Sequence, residues 1–370
     1  MNVAIVINTS WNIYNFRKGL IQSLLLNGYK VTAIAPHDQF SDLLREIGCT
    51  FIPLKMDSRG ANAVRDLQLI FELYGIYKKC KPDVILHYTI KPNIYGTLAA
   101  AMLQLPVINN VSGLGTIFLN KGASSFIARF LYKFSFRFPA KVFFQNPDDQ
   151  KLFIDLQLVN PKITDLLPGS GIDPEYFKPI SKQSQKGETM VFLMISRIIR
   201  DKGIVEFLDA AGQLKKSGIK ADFRILGVLD PKHSRGIGKS EFEQKVQKNG
   251  AIYLGNAHDV RKFIADSDCV VLPSYREGTP RTLLEAASMG KPLIATDVPG
   301  CNEVLKAGYN GLKCEARNAG DLAKAMLEMT RLPLEKRNQM GENSRKLILE
   351  RFDERYVSEK YLSAIKEILN

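Results

Sequence analysis

The sequence predicts an α/β protein of two doubly wound domains, each a parallel sheet covered by helices. Apolar, strand-like runs alternate with amphipathic stretches along all 370 residues. An opening pattern of strand, loop and helix occurs twice, at the start of the chain and again from residue 190. A polar stretch poor in large apolar side chains, residues 176–190, separates the two copies. These observations predict a first domain over residues 1–175, a linker over 176–190 and a second domain over 191–350.

The elements of each copy follow in order along the chain. In the first copy, the strand VAIVIN precedes a polar loop, the amphipathic stretch FRKGLIQSLLLNG and the strand KVTAIAP. In the second, the strand MVFLMIS precedes the loop RIIRDKG, the helix IVEFLDAAGQLKKSG and the strand ADFRILG. Residues 351–370 are expected to form a helix that packs back on the first domain. Because open α/β sheets bind ligands at the carboxyl ends of their strands, two such domains facing each other predict a ligand cleft between them.

The composition is that of an ordinary globular protein, 45% hydrophobic and 24% charged. No apolar run reaches the roughly 20 residues of a membrane-spanning helix, and the start MNVAIVINTSWN does not resemble a secretory signal. The five cysteines form no CxxC or metal-ligand pattern, which suits a reducing cytoplasm. The net charge of +13 would attract nucleic acid, an anionic membrane or phosphorylated substrates.

The segment REGTPRTLLEAASMG, from residue 276, places two glutamates beside a predicted helix. Pro280 suits the start of this helix, which we expect to run from about Arg281 to Met289. Its amino terminus would bind a phosphate, so that Glu277 before it and Glu285 within it would contact one ligand. The alternative makes Glu277 a solvated loop residue and Glu285 a surface residue. The leucines and alanines around Glu285 favour a ligand, because a buried carboxylate needs a polar partner.

A basic loop, ISRIIRDKG, follows the first strand of the second domain. Its Arg197 and Lys202 could together bind a diphosphate. The alternative is that both are solvated loop residues. In the segment Asp266-Ser-Asp268, a DxD sequence could suggest a metal site, but its position between a helix end and a strand favours a capping or turn role.

Together these residues resemble glycosyltransferase family 4, which has the GT-B architecture of two Rossmann-like domains. The similarity rests on the E-x7-E motif of Glu277 and Glu285, the segment GKPLIATDVPG, Asn310-Gly311, the loop SRIIRDKG and LPGSGIDPEYFKP at residues 167–179. The match extends over nearly the whole chain. In the first half, YTIKPNIYGTLAA and NVSGLGTIF are similar to bacterial N-acetylgalactosaminyltransferases that extend undecaprenyl-diphosphate-linked sugars.

The resemblance implies roles for the residues of the second domain. Glu285 would bind the ribose hydroxyls of a UDP-sugar, and Glu277 would contact the sugar and stabilise positive charge at its anomeric carbon. Arg197 and Lys202 would hold the diphosphate and stabilise its charge as it leaves. Backbone N–H groups of Thr279, Arg281 and Thr282 would assist. The resemblance implies retention of anomeric configuration, and no residue of the sequence is identified as a covalent nucleophile.

The acceptor is expected on the first domain. Many family members carry a histidine at the end of the strand in DVILHYTIKPN, where this chain has Tyr88, with His87 beside it. Tyr88, Lys91 and Asn93 are therefore the predicted acceptor-side residues, and Gly113 and Gly115 are expected to shape a turn at the acceptor site. The Gly-Gly common in the first strand–helix loop is replaced by NTSWNIYNFR, which suggests a specialised acceptor site.

The segment FIARFLYKFSFRFPAKVFF, residues 126–144, combines two stripes at a spacing of four residues. The aromatic stripe comprises Phe126, Phe130, Phe134 and Phe138; the basic stripe comprises Arg129, Lys133 and Arg137. One interpretation is a core helix with a solvated edge. The other is a helix that docks on an anionic membrane through both stripes.

The resemblance thus implies a hexosyltransferase at the inner face of the cytoplasmic membrane. It would move a sugar, N-acetylgalactosamine as first choice, from a UDP-sugar to a polyprenyl-diphosphate-linked glycan. No metal or other cofactor is expected. A UDP-sugar epimerase on a similar scaffold is an alternative. A basic nucleic-acid-binding protein is a remote one, because base-stacking and groove-reading signatures are missing from the sequence, so nucleic acid is not an expected partner.

Overall fold

The computed structural model describes residues 1–57, 62–114, 123–181 and 189–370. The chain divides into two units, the first formed by Met1–Gly171 with Glu354–Asn370 and the second by Ile172–Asp353. This boundary lies earlier than the predicted end of the first domain at residue 175. The physical reason is that Ile172 and Phe177 are buried in the core of the second unit. Residues 182–188 of the predicted linker lie outside the described residues.

Within its described residues, the first unit holds a seven-stranded parallel sheet of strand order β3-β2-β1-β4-β5-β6-β7. Its strands are β1 (Asn2–Val6), β2 (Lys30–Ala35), β3 (Thr50–Pro53), β4 (Val84–Tyr88), β5 (Val107–Val111), β6 (Lys141–Phe144) and β7 (Thr164–Leu166). The strand order reverses between β1 and β4, which are paired in register from Val3 with Val84 to Val6 with His87. Such a switch point is where open α/β sheets bind ligands.

Helices cover this sheet. They are α1 (Ser10–Leu26), α2 (Ser41–Glu46), α3 (Ala63–Cys80), α4 (Thr97–Ala101), α5 (Ala123–Ser135) and α6 (Pro147–Asp155). A π-helical turn, Pro92–Gly96, leads into α4. The first helix begins where the Thr9 side chain accepts a hydrogen bond from the Asn12 N–H at 3.1 Å, which satisfies one of the free donors of a helix start. It buries Ile13, Leu20, Ile21 and Leu24 along one face.

The described part of the second unit holds a six-stranded parallel sheet of strand order β10-β9-β8-β11-β12-β13. Its strands are β8 (Met190–Ile195), β9 (Ala221–Leu226), β10 (Ile252–Tyr253), β11 (Cys269–Leu272), β12 (Leu293–Thr296) and β13 (Gly311–Cys314). Its helices are α7 (Ile204–Lys216), α8 (Lys239–Lys248), α9 (Arg261–Ala265), α10 (Arg281–Ser288), α11 (Cys301–Val304), α12 (Ala319–Arg331) and α13 (Leu334–Arg351). The order reverses between β8 and β11, the same topology as in the first unit.

The last helix, α14 (Glu354–Leu369), belongs to the first unit and packs against α1. Tyr361 anchors it, because this side chain is fully buried and its hydroxyl accepts a hydrogen bond from the Asn110 amide at 2.8 Å. Residues 351–353, which we expected to belong to this helical segment, stay with the second unit, where α13 ends at Arg351.

In the described part of the chain, none of the helices combines the length and the apolar character needed to cross a bilayer.

Candidate active site

Two loops meet at the switch point of the second sheet, one after β8 and one after β11. Lys202 ends a short 3-10 turn, Arg200–Lys202, in the first loop, and Glu277 lies in the second. The Lys202 ammonium donates a hydrogen bond to the Glu277 carboxylate, and both side chains are largely buried. The structure therefore brings together two of the residues that the sequence predicts for donor binding. Each partly buried charge compensates the other.

The contact between these loops depends on a glycine. Gly203 directly follows Lys202 and has a φ of +75°, a conformation that side chains other than glycine rarely adopt. A Cβ atom at this position would also overlap the carbonyl oxygen of Pro273, just after β11. In addition, the Tyr275 N–H donates to the Asp201 carbonyl at 2.9 Å. Backbone contacts thus hold Lys202 beside the loop that carries Glu277.

The helix α10 begins at the same edge of the sheet. Pro280 precedes it, and its carbonyl accepts the first helical hydrogen bonds, from the N–H groups of Leu283 at 3.0 Å and Leu284 at 3.3 Å. The Thr282 hydroxyl donates to the Ile195 carbonyl at the end of β8, at 3.0 Å, which fixes the start of the helix against the strand. The N–H groups of Arg281 and Thr282 therefore precede the first helical bonds. Such a helix start favours an anion.

Glu285 lies within this helix and leaves 14% of its side chain exposed. The Nε atom of Arg281, one turn earlier, donates to its carboxylate at 3.2 Å. Burial raises the pKa of the Glu285 carboxyl above its ordinary value, and the positive charge and hydrogen bond of Arg281 only partly oppose this. The alternative in which Glu285 is a surface residue is therefore wrong. A ligand that donates hydrogen bonds to this carboxylate would further offset the cost of its burial.

The remaining donor-side residues are Arg197 and Thr279. Arg197 is exposed in the loop after β8, and its side chain has no hydrogen-bond or ion-pair partner among the described residues. Thr279 is half-buried in the loop between Glu277 and α10. A Cβ atom at Gly300, after β12, would overlap the Gly278 carbonyl oxygen, so the loops after β11 and β12 are also in close contact.

Comparison with known proteins assigns the chain to a family. A family described as "Glycosyl transferases group 1" matches residues 177–347, and one described as "Glycosyl transferase 4-like" matches residues 2–146. The chain is 30% identical to the N,N'-diacetylbacillosaminyl-diphospho-undecaprenol alpha-1,3-N-acetylgalactosaminyltransferase of Campylobacter jejuni. That alignment covers 100% of this chain and 99% of the relative. The chain belongs to glycosyltransferase family 4.

Other relatives agree with this assignment. The UDP-Gal:alpha-D-GlcNAc-diphosphoundecaprenol alpha-1,3-galactosyltransferase of Escherichia coli is 24% identical to it over 74% of this chain and 72% of its own length. A solved glycosyltransferase from Rickettsia africae superposes with a TM-score of 0.81 at 18% identity, covering 100% of this chain and 98% of its own. Anabaena HepE, solved in complex with UDP and glucose, gives a TM-score of 0.80 at 17% identity, covering 99% of each chain. The predicted GT-B fold is confirmed, and the chain is an enzyme of the glycosyltransferase class.

The predicted acceptor-side residues of this glycosyltransferase that the structure describes lie at or just beyond the carboxyl ends of β4 and β5. Tyr88 is buried at the end of β4. Lys91 forms an ion pair with Asp66 at 2.7 Å, and the Asn93 amide donates to the Asn110 carbonyl at 2.8 Å. Gly113 follows β5 with a φ of +126°, and Gly115 lies outside the described residues. The contacts of Lys91 and Asn93 are structural ones within the first unit, and the acceptor role of all five residues stays a prediction.

His87 and Tyr88 point to opposite faces of the sheet, as successive strand residues do. The His87 ring is fully buried and hydrogen-bonds to the Tyr77 hydroxyl at 2.8 Å and to the Asn109 side-chain oxygen at 3.1 Å. Burial lowers its pKa to about 3, so the ring is neutral at physiological pH. This environment gives His87 a structural role in the core beneath α3.

The aromatic stripe points outward, with Phe126, Phe130 and Phe134 on α5 and Phe138 just after the helix ends at Ser135. Phe126 and Phe130 are 74% and 63% exposed, and Phe134 and Phe138 are exposed as well. The basic stripe lies partly beside it, with Lys133 and Arg137 exposed and Arg129 half-buried. The core is instead filled from the other side of the segment, by Ala128, Tyr132 and Phe136. The interpretation of the aromatic stripe as a core face is therefore wrong.

The DxD segment is part of the framework of the second unit. The Asp268 carboxylate accepts a hydrogen bond from the Val191 N–H at 2.8 Å, which ties the start of β11 to β8. Asp266 caps the carboxyl end of α9, where its N–H donates to the Lys262 carbonyl at 3.0 Å. These contacts fit the capping and turn roles expected from the sequence.

Proposed function

We propose that this enzyme transfers N-acetylgalactosamine from a UDP-sugar to a polyprenyl-diphosphate-linked glycan, with retention of anomeric configuration. The observation that carries the proposal is the full-length similarity to the Campylobacter jejuni enzyme, whose name specifies an N-acetylgalactosaminyl group and an undecaprenyl-diphosphate-linked acceptor. The Escherichia coli relative, named for a galactosyl donor and a related acceptor, supports the acceptor class and makes galactose the second choice of sugar. The enzyme would be a hexosyltransferase of bacterial surface-glycan assembly.

The geometry of the second unit supports a nucleotide-sugar donor. The start of α10 offers N–H groups and the positive end of the helix dipole to a diphosphate. The buried Glu285 carboxylate is an acceptor for two adjacent hydroxyl groups, as a ribose ring presents them. Lys202 stands beside Glu277, so an ammonium and a carboxylate are available at one point of the site.

These groups suit the charge changes of glycosyl transfer. The bond between the anomeric carbon and the diphosphate oxygen breaks, and the UDP leaves with its electrons. An acceptor hydroxyl oxygen forms the new bond, and its proton passes to the departing diphosphate. Lys202, Arg197 and the N–H groups of Thr279, Arg281 and Thr282 would stabilise the charge of the departing diphosphate. Glu277 would stabilise the positive charge at the anomeric carbon. In this proposal no metal ion takes part, because side chains and the helix start neutralise the leaving group.

The test is a matrix of donors and acceptors. UDP-N-acetylgalactosamine, UDP-galactose, UDP-glucose and UDP-N-acetylglucosamine are offered with short polyprenyl-diphosphate-linked acceptors, with and without EDTA. We expect the highest rate with UDP-N-acetylgalactosamine, no loss of activity with EDTA, and an α-linked product by mass spectrometry and anomeric NMR. A new UDP-sugar formed without acceptor would identify an epimerase, and a β-linked product would contradict retention.

We also propose that the enzyme works peripherally at the inner face of the cytoplasmic membrane, docked through α5. The exposed aromatic stripe would enter the interface while Lys133 and Arg137 attract anionic lipid headgroups. A lipid-linked acceptor makes such docking useful, because it brings the enzyme to the plane in which its substrate diffuses.

Replacing two of these side chains should separate membrane binding from catalysis. We expect Phe126→Ser with Phe130→Ser to weaken binding to phosphatidylglycerol vesicles at least about tenfold, since each exposed phenylalanine loses its apolar burial in the interface. Activity on a short, water-soluble acceptor should stay unchanged. Phe71→Ser on α3, where Phe71 is 59% exposed, is the matched control and should bind vesicles normally. Equal vesicle binding by the double variant and the wild type would contradict docking through α5.

A further inference from the structure

The first unit contains a buried arginine, Arg17, that no acidic side chain among the described residues neutralises. Arg17 lies on α1 and is only 5% exposed. Its guanidinium carbon lies 4.2 Å from the centre of the Tyr88 ring, and its Nη1 atom donates to the carbonyl of the adjacent Phe16 at 3.0 Å. Among the described residues no carboxylate pairs with it, and its Nε–H has no hydrogen-bond partner. Because a buried charge is normally paired, this guanidinium is suited to an anion from outside the chain.

Arg17 lies at the switch point of the first sheet. Tyr88, which it covers, is the last residue of β4, the neighbour of β1 at the point where the strand order reverses. Further buried polar oxygens at this edge lack partners within the described residues, among them Oδ1 of Asn8, just after β1, and Oγ1 of Thr89, just after β4. Thr89 has a φ of +64°, an unfavourable conformation for a β-branched residue. Strain of this kind is common at ligand sites.

The chemistry of these groups defines the class of ligand. A guanidinium binds phosphate oxygens through paired N–H donors. The Asn8 side-chain oxygen requires a donor such as a sugar hydroxyl, and the Thr89 hydroxyl can either donate or accept. A phosphate next to a sugar ring satisfies all three groups, whereas a neutral glycan would leave Arg17 without a counter-charge.

We infer that the carboxyl edge of β1 and β4 binds the sugar diphosphate of the acceptor, with Arg17 as the ligand of a phosphate oxygen and Asn8 and Thr89 as partners of the adjoining sugar hydroxyls. This inference rests on the proposed function and deepens it, because it makes the diphosphate, rather than the lipid chain alone, an element of acceptor recognition. The donor diphosphate has its own proposed site in the second unit, at the start of α10.

The experiment compares two acceptors that carry the same glycan, one linked through a polyprenyl diphosphate and one through an uncharged alkyl chain of similar length. For Arg17→Gln we expect KM for the diphosphate acceptor to rise about ten- to a hundredfold, because a charge-assisted hydrogen bond is lost. KM for the alkyl acceptor and the Kd for UDP should stay unchanged. Arg45→Gln is the matched control: Arg45 also stacks on an aromatic ring of the first unit, but it is paired with Asp42, and its variant should behave as wild type.

A second variant keeps the test valid if Arg17→Gln does not fold. Thr89→Gly removes the hydroxyl together with the Cβ atom and the methyl group, and it relieves the strain of the positive φ, so the melting temperature should be equal or higher. KM should rise about three- to tenfold for both acceptors, because the glycan is shared.

The outcomes separate the inference from the proposed function. Wild-type inactivity with every polyprenyl-diphosphate acceptor would contradict the proposed function. Wild-type activity together with unchanged acceptor KM in folded Arg17→Gln and in Thr89→Gly would overturn the inference alone. An Arg17→Gln variant with a raised Kd for UDP and an unchanged acceptor KM would overturn it as well, since the anion would then be the donor's. Inorganic pyrophosphate, titrated against enzyme saturated with UDP, should bind the wild type more tightly than Arg17→Gln; equal affinity would count against an anion site at Arg17.

Discussion

Replacing Glu277 by glutamine should lower kcat by roughly 10²- to 10³-fold while leaving the Kd for UDP close to that of the wild type. Glutamine keeps the size of the side chain and a hydrogen-bond acceptor for Lys202, but it removes the negative charge. In the proposed reaction that charge stabilises the anomeric carbon only as positive charge develops there, so its loss should affect turnover and not nucleotide binding. Steady-state kinetics and calorimetric titration with UDP measure the two quantities separately.

The control for this prediction is a second ion pair of the same unit. Glu241 accepts two hydrogen bonds from Arg200, at 2.7 and 2.8 Å, in a more exposed position. Since exposed pairs contribute little, Glu241→Gln should keep kcat within about twofold of the wild type. If Glu277→Gln turned over as fast as Glu241→Gln, the carboxylate of Glu277 would have no part in the chemical step.

The sequence was informative about the second unit because its chemistry is local. Glu277, Pro280 and Glu285 lie within nine positions, so the helix start and the burial of Glu285 follow from the short run of residues around them. The pairing of Lys202 with Glu277 is less local, since the two are 75 positions apart. The sequence placed both residues in one donor site, and their pairing is explained by the sheet, because the loops after adjacent strands β8 and β11 leave the same edge.

The first unit was harder to predict because its candidate groups meet only after folding. Arg17 packs on the ring of Tyr88, which is 71 positions away in the sequence. Nothing in NTSWNIYNFR distinguishes an arginine that becomes buried from one that stays exposed to water. Lys91 likewise reads as a free basic residue until α3 brings Asp66 to 2.7 Å. Asn8 and Thr89 lie in the segments NTSWNIYNFR and YTIKPNIYGTLAA, yet nothing in either segment marks these two residues as binding groups. Their signal is an unpartnered atom, which only the structure reveals.

The periodicity of the aromatic side chains also predicts only part of the structure. The spacing of four residues in the segment after Phe126 identified which side chains share a face, but not whether that face meets the core. The structure answers this through Tyr132 and Phe136, which fill the core next to Phe153 at ring distances of 5.1 and 5.8 Å and leave the other phenylalanines outside. The domain boundary shows a similar limit. Ile172 and Phe177 are buried in the core of the second unit, although the stretch from residue 176 is polar in composition.

Replacing Glu285 by glutamine should weaken UDP binding by roughly 10²-fold and leave the unliganded enzyme at least as stable as the wild type. The carboxylate is proposed to accept hydrogen bonds from two ribose hydroxyls, and hydrogen bonds to charged groups are the strong ones. In the unliganded enzyme the same charge is costly, because its burial outweighs the help of Arg281 and raises the pKa of the carboxyl. Removing the charge should therefore lower the affinity for UDP and keep or raise the stability of the unliganded enzyme. Calorimetric titration with UDP measures the first quantity, and thermal unfolding at pH 7 measures the second.

The pH dependence that Glu285 gives the wild-type enzyme follows from the direction of that pKa shift. The pKa in the folded enzyme lies above the ordinary value of 4.5, so the folded state binds this proton more tightly than the unfolded chain does. The contribution of Glu285 to stability therefore falls as the pH rises through the interval between the two pKa values, while UDP affinity rises over the same interval as the carboxylate forms.

Glu285→Gln should lose both the pH dependence of stability and the pH dependence of UDP affinity that this carboxyl causes. Glu243→Gln, at an exposed position on α8, should retain them. Two results would exclude this carboxylate from the nucleotide site. One is a wild-type UDP affinity that stays constant as the pH falls towards 4.5, because protonation of a carboxylate that accepts hydrogen bonds from the ribose should weaken UDP binding. The other is a Glu285→Gln variant that binds UDP normally.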